Sequence, residues 1–383
     1  MRLSLKKTIC VFLCLILFFS LFPGQARGEA PGVSAEAAVL MDQTSGRLLF
    51  EKNSREKLPI ASITKVMTAI LAIESGKMND RITVSRKAAS TEGSSIYLKP
   101  GEKMKLKDLV YGMMLRSGND ASLAIAEALG ESEAGFSFLM NEKAQELGMA
   151  DTHFMNPNGL HHPDHYSTAY DMAVLTKYCM GNPLFRKIFQ TKIYRAPETN
   201  KEGIRVWRNK NKLLTLFREA TGGKTGFTKM AGRTLISTAE KGRFGLIAVT
   251  LNDGDDWKDH IGLYDWAFSE YQRVKVVQKG KIRGPLNAFY KDRVFISRPL
   301  FLPLSKDEQR RVTKKIVLMR PPKHAERWVP PSPAGRLKIM LDREEIASLP
   351  LYYRPPKKKD KGLWHVFYGY FAAIVSGREG PPS

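Results

Sequence analysis

Residues 59–67 of the chain read Pro-Ile-Ala-Ser-Ile-Thr-Lys-Val-Met, and an apolar run continues from there to Ile73. Alanine, isoleucine, methionine and leucine fill this run and Gly76 follows it, a pattern that predicts a buried helix. Residues three apart on a helix lie one turn apart on the same face, so Ser62 and Lys65 point the same way. A serine hydroxyl becomes a good nucleophile when a base takes its proton, and a lysine with a lowered pKa can be that base.

The Ser-x-x-Lys spacing by itself does not establish a nucleophile. It also occurs at Ser4–Lys7, in a targeting segment, and at Ser54–Lys57, in a charged turn with no apolar helix after it. Because short motifs often occur without function, the simpler interpretation of the quartet alone is a helix cap at Ser62 and a solvated Lys65. Other parts of the chain have to decide between these interpretations.

The N-terminus has the pattern of a secretory signal. Three basic residues precede an apolar run over residues 9–22, and Gly24 and Ala26 place small residues at both cleavage positions. This pattern predicts a signal peptide over residues 1–26, whereas a membrane-spanning helix needs about twenty apolar residues. Export excludes nucleic acid as the natural partner, although the formal net charge is +23.

Length and cysteine usage limit the architecture. The 383 residues are enough for two globular domains. Cys10 and Cys14 lie in the predicted signal, so the exported chain keeps Cys179 alone and forms no internal disulfide. Within the pattern of residues 172–179 we interpret Cys179 as a small core residue.

The pattern over residues 31–272 predicts an α/β (α+β) domain in which helices flank an antiparallel sheet. Strands at both ends of this segment enclose helices, an arrangement that places the strands in one sheet. The predicted strands are 37–42 and 47–50, which form a hairpin, and 233–238 and 244–251. The predicted helices are 62–73, 106–115, 121–129 with Asp120 as its cap, 136–147, and one capped by Asp255 or Asp256 that carries Trp257, Ile261, Tyr264, Phe268 and Tyr271 on one face.

The C-terminal part differs in composition. Residues 275–355 contain short apolar runs and more prolines, which predict a small β-rich domain. Residues 271–361 hold 24 Lys or Arg against 8 Asp or Glu, a net charge of +16. For an exported protein this charge favours attraction to anionic lipids or cell-wall polymers, although a solvated basic face is the simpler alternative.

The tail, residues 356–383, combines a basic run with an aromatic helix pattern. Four lysines between 357 and 361 precede a predicted amphipathic helix. Its apolar face consists of Leu363, Phe367, Tyr370, Phe371 and Ile374, with Trp364 beside it. This combination predicts binding to an anionic membrane surface, and a C-terminal helix docked on the protein is the alternative.

Two further motifs change the interpretation of Ser62. Ser117-Gly118-Asn119 lies between two predicted helices, and Lys224-Thr225-Gly226 precedes the later strand pair. Ser-x-x-Lys, Ser-x-Asn and Lys-Thr-Gly in this order form the set found in penicillin-binding proteins and class A β-lactamases. The three motifs together therefore predict a serine acyl-transfer site.

Each residue of the second and third motifs has an expected role in catalysis or in substrate binding. Ser117 can relay a proton to the leaving amine, and Asn119 can hold the substrate amide and Lys65. Lys224 and Thr225 can bind a terminal carboxylate, while a strand through Gly226 can pair with an extended peptide. The backbone N–H of Ser62 and one from Phe227 or Thr228 can form an oxyanion hole.

The chain resembles the low-molecular-mass penicillin-binding proteins that are D-alanyl-D-alanine carboxypeptidases, and most of all the sporulation-associated member of Gram-positive spore formers. The resemblance runs from the signal to the basic tail. Besides the three motifs it rests on residues 60–69, 91–98, 115–121, 156–160 and 221–228. It implies a β-lactamase/transpeptidase-like fold and removal of terminal D-Ala from peptidoglycan pentapeptide stems through an acyl-enzyme on Ser62. It also implies covalent inhibition by β-lactams and a location at the outer face of the cytoplasmic membrane or the forespore membrane.

One position departs from the family pattern. Where several relatives carry Asn-Arg-Asn before Leu-Leu, this chain has Asn209-Lys210-Asn211. The arginine of the relatives helps to bind substrate. A lysine supplies the same charge but lacks the planar guanidinium that donates two hydrogen bonds to one carboxylate. Lys210 is therefore a candidate substrate contact that needs its own test.

Residues 161–165, His-His-Pro-Asp-His, raise the possibility of a metal site. No second cluster completes such a site and the serine mechanism needs no metal, so we predict neither a metal nor another cofactor. Two other functions remain open at this point: a β-lactamase, and a non-catalytic wall-binding or penicillin-sensing module. A class A β-lactamase carries a glutamate followed two residues on by Leu-Asn, and no glutamate between Asn119 and Lys224 has that context.

Overall fold

The computed structural model describes residues 30–323 and 328–355. The predicted signal peptide and the predicted tail helix lie outside the described residues. The chain divides into two compact units, of which one comprises the residues up to Val274 together with Phe301–Arg310 and the other comprises Lys275–Leu300 and the chain from Arg311.

The first unit alternates helices with strands. Its strands are β1 (Ala37–Asp42), β2 (Leu48–Lys52), β3 (Arg81–Thr83), β4 (Lys103–Lys105), β5 (Ile193–Ala196), β6 (Arg205–Arg208), β7 (Ala220–Thr228), β8 (Gly232–Lys241) and β9 (Phe244–Leu251). Its helices are α1 (Lys65–Glu74), α2 (Arg86–Ala89), α3 (Leu106–Arg116), α4 (Asn119–Gly130), α5 (Glu133–Glu146), α6 (Ala169–Cys179), α7 (Pro183–Phe189), α8 (Leu213–Leu216) and α9 (Asp256–Glu270).

A five-stranded antiparallel sheet of order β2-β1-β9-β8-β7 organises this unit. Side chains alternate between the two faces of a strand, so both faces can be covered. Alternate residues of β1 and β9 point into two different hydrophobic cores. The first core contains Val39, Met41, Ile247 and Val249. The second core contains Leu40, Leu246 and Ala248. Helices α1, α3, α4, α6 and α7 supply the first core and α9 the second, which confirms the predicted sheet with flanking helices.

Two local predictions need correction. Asp120 is not the cap of α4, because the helix already begins at Asn119 and its N-cap position is Gly118. The carboxylate of Asp120 instead accepts hydrogen bonds from the backbone N–H groups of Ile96 and Leu98 in the preceding loop. Helix α5 begins at Glu133, since the hydroxyl of Ser132 caps it by accepting from the N–H of Gly135.

The second unit is built on a separate antiparallel sheet. Its strands are β11 (Gly280–Lys281), β12 (Val294–Ile296), β14 (Val312–Leu318), β15 (Gly335–Leu341) and β16 (Glu344–Tyr353), in the order β11-β12-β16-β15-β14. This confirms a β-rich C-terminal domain. Its buried apolar side chains include Val294, Ile296, Leu337, Ile339, Leu349 and Leu351.

Outside this five-stranded sheet the chain contributes β10 (Gln272–Val277), β13 (Leu300–Leu304) and the short helix α10 (Glu308–Arg311). The segment Phe301–Arg310 belongs to the first unit, although sequence composition places it in the C-terminal domain. Arg47 provides the physical reason: its guanidinium lies 2.7 Å from the carboxylate of Glu308 and also donates to the carbonyl of Pro303. Both charged side chains are nearly buried, so the ion pair holds the segment on the hairpin β1–β2.

Two features of the described residues bear on membrane insertion and on cysteine chemistry. No helix among them combines the length and apolar character needed to cross a bilayer. Cys179 is a free, buried thiol whose pKa is raised well above its usual value by burial, which agrees with its interpretation as a core residue.

Candidate active site

Ser62 lies in a single turn of 3-10 helix, Ala61–Thr64, that continues directly into α1. Lys65 is the first residue of α1 and its side chain is fully buried, whereas Ser62 is partly exposed. The Nζ atom of Lys65 lies 2.8 Å from the Oγ atom of Ser62. The turn thus brings together the two side chains that the Ser-x-x-Lys spacing places on one face.

The remaining contacts of Lys65 orient its amine. Its Nζ donates to the Oδ1 of Asn119 at 2.8 Å and to the backbone carbonyl of Asn158 at 2.5 Å. The assignment of Oδ1 is secure, since the Nδ2 of Asn119 donates to the carbonyl of Glu92 at 2.7 Å. A neutral lysine has two N–H bonds and one lone pair. With both N–H bonds directed at oxygens that only accept, the lone pair faces the hydroxyl of Ser62.

Electrostatics favour this neutral form. Burial lowers the pKa of Lys65 well below its usual value, and the positive charges of Lys224 and Lys210 lower it further, while Asp120 raises it. Taking an ammonium out of water is costly, so a buried lysine among cations releases its proton. Lys65 is therefore suited to accept the proton of Ser62.

Ser117 and Lys224 form the second pair of the site. Ser117 follows α3 in a left-handed backbone conformation, with φ +65°, and is buried. The Nζ of Lys224 donates to the Oγ of Ser117 at 2.9 Å and to the carbonyl of Thr225 at 2.6 Å. Burial lowers the pKa of Lys224 to about 7, with a further contribution from Lys210. A non-glycine residue with positive φ is strained, which is common where a side chain must be aimed at a reaction.

Strand β7 brings Lys224, Thr225 and Gly226 to the site from the edge of the sheet. Gly226 lies against the nucleophile, because a Cβ built on it would be 2.8 Å from the backbone nitrogen of Ser62. Thr225 is partly exposed beside the buried Lys224. An edge strand has unpaired backbone groups on its outer side, so β7 can take up an extended peptide as an additional strand.

The loop over residues 92–98 is fixed to the start of α4. Asp120 accepts hydrogen bonds from the backbone N–H groups of Ile96 and Leu98, both at 3.1 Å. The backbone N–H of Asn119 donates to the carbonyl of Ser94 at 2.6 Å. These bonds hold Asn119 in the position from which it contacts Lys65.

Lys210 lies at the rim of the site and not inside it. Its backbone N–H donates to the carbonyl of Leu115, and its exposed side chain donates to the Oγ of Ser94 at 3.1 Å. It has no hydrogen bond to the other predicted site residues in the described part of the chain. Its charge nevertheless lowers the pKa of both Lys65 and Lys224.

The histidines of residues 161–165 do not converge on one point. His165 is buried with its ring edge against Phe154, whereas His161 is exposed and the Nδ1 of His162 accepts from the N–H of Asp164. Across residues 30–323 and 328–355 there is no group of three side chains placed to hold a metal ion.

Sequence reasoning missed the part of the site that residues 156–160 supply. The contact with Lys65 comes from the backbone carbonyl of Asn158, and a backbone contact leaves no trace in residue type. Gly159 was the available signal: it has φ +81°, and a Cβ on it would lie 1.9 Å from the carbonyl oxygen of Ala61. A glycine that the fold requires in a loop marks a close approach of two backbones.

Comparisons with known proteins agree with the geometry. A family model described as D-alanyl-D-alanine carboxypeptidase matches residues 25–255, and one described as the C-terminal domain of penicillin-binding protein 5 matches residues 271–355. The D-alanyl-D-alanine carboxypeptidase DacF of Bacillus subtilis is 35% identical over 340 residues, which are 85% of this chain and 86% of DacF.

Solved structures show the same likeness. The D-alanyl-D-alanine carboxypeptidase DacD from Francisella tularensis is similar with a TM-score of 0.68 and 29% identity, covering 86% of this chain and 95% of that one. Penicillin-binding protein 5 from Haemophilus influenzae is similar with a TM-score of 0.71 and 27% identity, covering 84% of this chain and 97% of that one.

Proposed function

The chain belongs to the D-alanyl-D-alanine carboxypeptidase family, and from that membership we propose that it removes the terminal D-Ala of peptidoglycan pentapeptide stems. The reaction proceeds through an acyl-enzyme on Ser62, and β-lactams acylate the same hydroxyl. The observation that carries this proposal is the 2.8 Å contact between the Nζ of Lys65 and the Oγ of Ser62 in a site that favours the neutral amine.

Acylation begins when Lys65 accepts the hydroxyl proton of Ser62. The Oγ then bonds to the carbonyl carbon of the penultimate D-Ala, and the carbonyl oxygen becomes an oxyanion. The backbone N–H of Ser62 and one from Phe227 or Thr228 at the end of β7 stabilise that oxyanion, which is the charge that develops in the transition state.

The amide bond breaks when the leaving nitrogen gains a proton. Ser117 gives up its hydroxyl proton to the nitrogen of the departing D-Ala and recovers one through Lys224, which donates to its Oγ. The proton that Lys65 took from Ser62 then passes to the Ser117–Lys224 pair, which leaves Lys65 neutral again. Water attacks the ester while Lys65 accepts its proton and passes it to the Oγ of Ser62 as the ester bond breaks, so that Ser62 and Lys65 recover their starting forms.

Substrate recognition falls to three groups around the nucleophile. Lys224 and Thr225 bind the C-terminal carboxylate, and the backbone of β7 through Gly226 pairs with the extended stem peptide. Asn119 holds Lys65 and contacts the substrate amide. Lys210 adds positive charge at the rim. This charge attracts the substrate carboxylate but does not form the two parallel hydrogen bonds that a guanidinium would form.

The predicted signal and the relatives support a proposal for the cellular setting. We place the protein outside the cytoplasmic membrane, at the cell wall, with the tail over residues 356–383 on an anionic membrane surface. The similarity to DacF supports a role in a spore-forming cell, in which the forespore membrane is the proposed location.

Mass spectrometry of the purified chain after incubation with penicillin tests the nucleophile. We expect one penicilloyl adduct on Ser62, none on Ser62→Ala, and unchanged folding, since one partly exposed hydroxyl contributes little to stability. Ser54→Ala is the matched control, because Ser54 has the same Ser-x-x-Lys spacing but donates to Glu51 at 2.7 Å. An adduct mapped to Ser54 or Ser117 would refute the assignment.

The lifetime of that adduct separates a carboxypeptidase from a β-lactamase. In the described residues the hydrogen-bond partners of Ser62 and Lys65 are each other, Asn119 and Asn158, and no carboxylate is among them to activate water. We expect a long-lived penicilloyl-enzyme together with D-Ala release from a diacetylated pentapeptide analogue. Each ~1.4 kcal/mol of extra deacylation barrier slows hydrolysis tenfold. Loss of the adduct within seconds would favour a β-lactamase, and absence of D-Ala release would favour a non-catalytic module.

A further inference from the structure

The peptide bond before the nucleophile has a fixed orientation that matters for catalysis. A trans peptide is planar, so the carbonyl of Ala61 and the N–H of Ser62 point in opposite directions. Ala61 itself has φ +47°, a strained value for a residue with a side chain. Whatever holds the carbonyl of Ala61 therefore also aims the N–H of Ser62, which lies beside Gly226 of β7.

Two groups hold that carbonyl. The hydroxyl of Thr64 donates to it at 2.8 Å within the same turn. Gly159 packs so closely that a Cβ there would be 1.9 Å from the oxygen. Thr64 is fully buried, and its hydroxyl has a second hydrogen-bond partner. That partner determines the direction of the hydroxyl proton.

That partner is His165. Its Nδ1 accepts from the backbone N–H of Met155 at 3.0 Å, so the proton of a neutral ring resides on Nε2. The Nε2 lies 2.8 Å from the Oγ1 of Thr64 and must be the donor. Thr64 in turn can donate only onward, to the carbonyl of Ala61. Burial, followed by His153, His162 and Lys65, lowers the pKa of His165 to about 3, which keeps this arrangement the same at any working pH.

We propose that His165 is a positioning residue for acyl transfer, which acts through Thr64 and the carbonyl of Ala61 to aim the N–H of Ser62 at the oxyanion. The inference rests on the proposed function, since it assigns His165 a role within that reaction. His165 reaches the nucleophile from 103 positions along the chain, in the loop that also supplies Asn158 to Lys65. One loop thus orients both the base and the oxyanion donor.

The test is the rate of acylation by a fluorescent penicillin, resolved into a limiting rate constant and an apparent dissociation constant. The Oδ1 of an asparagine matches Nδ1 and can still accept from Met155, but its amide cannot reach Thr64. His165→Asn should therefore lower the limiting rate about tenfold or more, as partial loss of an oxyanion donor would, with the dissociation constant nearly unchanged. His165→Gln carries an N–H at the position of Nε2 and should restore most of the rate.

A matched control separates this effect from loosening of the loop. His153 lies in the same loop and its Nδ1 bonds to the carbonyl of Asp164 at 2.7 Å, without contact to Thr64. His153→Asn makes the same chemical change and should acylate at the wild-type rate. Equal rates for His165→Asn and the wild type, or equal losses in both histidine variants, would overturn the proposal.

A double-mutant cycle checks the route. Thr64→Val removes the hydroxyl in an isosteric way and should slow acylation, whereas Thr64→Ser keeps it. If His165 acts through Thr64, His165→Asn should add nothing in the Thr64→Val background, and losses that multiply would overturn the proposal. Should His165→Asn not fold, equal rates for Thr64→Val and Thr64→Ser would still overturn it. A wild-type chain without any adduct would instead refute the proposed function and this inference with it.

Discussion

At the scale of single residues, Lys65 and Lys224 are both buried, but burial has different consequences for the charge of the two amines. In the described residues Lys65 is fully buried, the charges of Lys224 and Lys210 lower its pKa, and no carboxylate hydrogen-bonds to its amine, so it is the lysine suited to give up its proton. Lys224 has a pKa of about 7 and, in the proposed function, gains the substrate carboxylate as a partner. One site thus holds a neutral base and a cationic anchor made from the same residue type.

This division predicts a bell-shaped pH dependence of kcat/KM for D-Ala release. Activity should be lost as the pH falls below the pKa of Lys65, because the protonated amine cannot accept a proton. Activity should also decline above about pH 7, where free Lys224 loses the charge that binds the carboxylate. The kcat profile should lack this alkaline limb near pH 7, since bound carboxylate keeps Lys224 charged.

Lys224→Arg provides the control for this prediction. An arginine stays charged throughout the range, so the alkaline limb of kcat/KM should disappear even if the overall rate is lower. An unchanged alkaline limb in this variant would show that another group titrates there.

At the scale of elements, β7 is the strand on which the site depends. It is the edge strand of the sheet and carries glycine where other backbones approach. A Cβ on Gly226 would be 2.4 Å from the Oγ1 of Thr234 and 2.8 Å from the nitrogen of Ser62. The neighbouring strand β8 also supports the turn, since Thr234 donates to the carbonyl of Ile60 at 3.0 Å.

Gly226→Ala should therefore reduce acylation about 100-fold by blocking the space in front of the Ser62 N–H, the size of effect expected for a lost oxyanion donor. Gly245→Ala in β9 is the matched control: the atoms nearest to its added Cβ would belong to the Gln43 side chain, at 3.4 Å. Acylation rates and thermal unfolding of both variants provide the measurement. Comparable losses of activity in the two variants would contradict a specific role for Gly226.

At the scale of the whole molecule, charge and catalysis are separated along the sequence. All proposed catalytic and substrate residues lie between Ser62 and Thr228, whereas residues 271–361 carry a net charge of +16. Basic residues near an anionic membrane each contribute roughly 1 kcal/mol, and an aromatic face adds apolar burial. The C-terminal part is thus suited to hold the enzyme at a surface while the first unit acts on the wall.

Removal of residues 356–383 should release the protein from anionic vesicles and leave turnover of a soluble peptide nearly unchanged. A full-length variant with Phe367→Glu and Phe371→Glu keeps the lysines and separates apolar insertion from charge. It should bind vesicles more weakly than the wild type at moderate salt. Vesicle binding that is the same with and without residues 356–383 would count against the tail as an anchor.

The sequence by itself determined the three motifs, their order and the pairing of Ser62 with Lys65, because the spacing along a helix is local geometry. It also predicted β1, β2, β8 and β9 of the main sheet, since these strands carry apolar runs bounded by turn residues. Only the tertiary structure decided what surrounds Lys65 and the peptide before Ser62. Asn158 acts through its backbone carbonyl, and His165, in the same loop, acts through the hydroxyl of Thr64. The segment around Glu308 joins the first unit through Arg47. Such contacts join backbone atoms or residues far apart in the chain, and neither periodicity nor residue type records them.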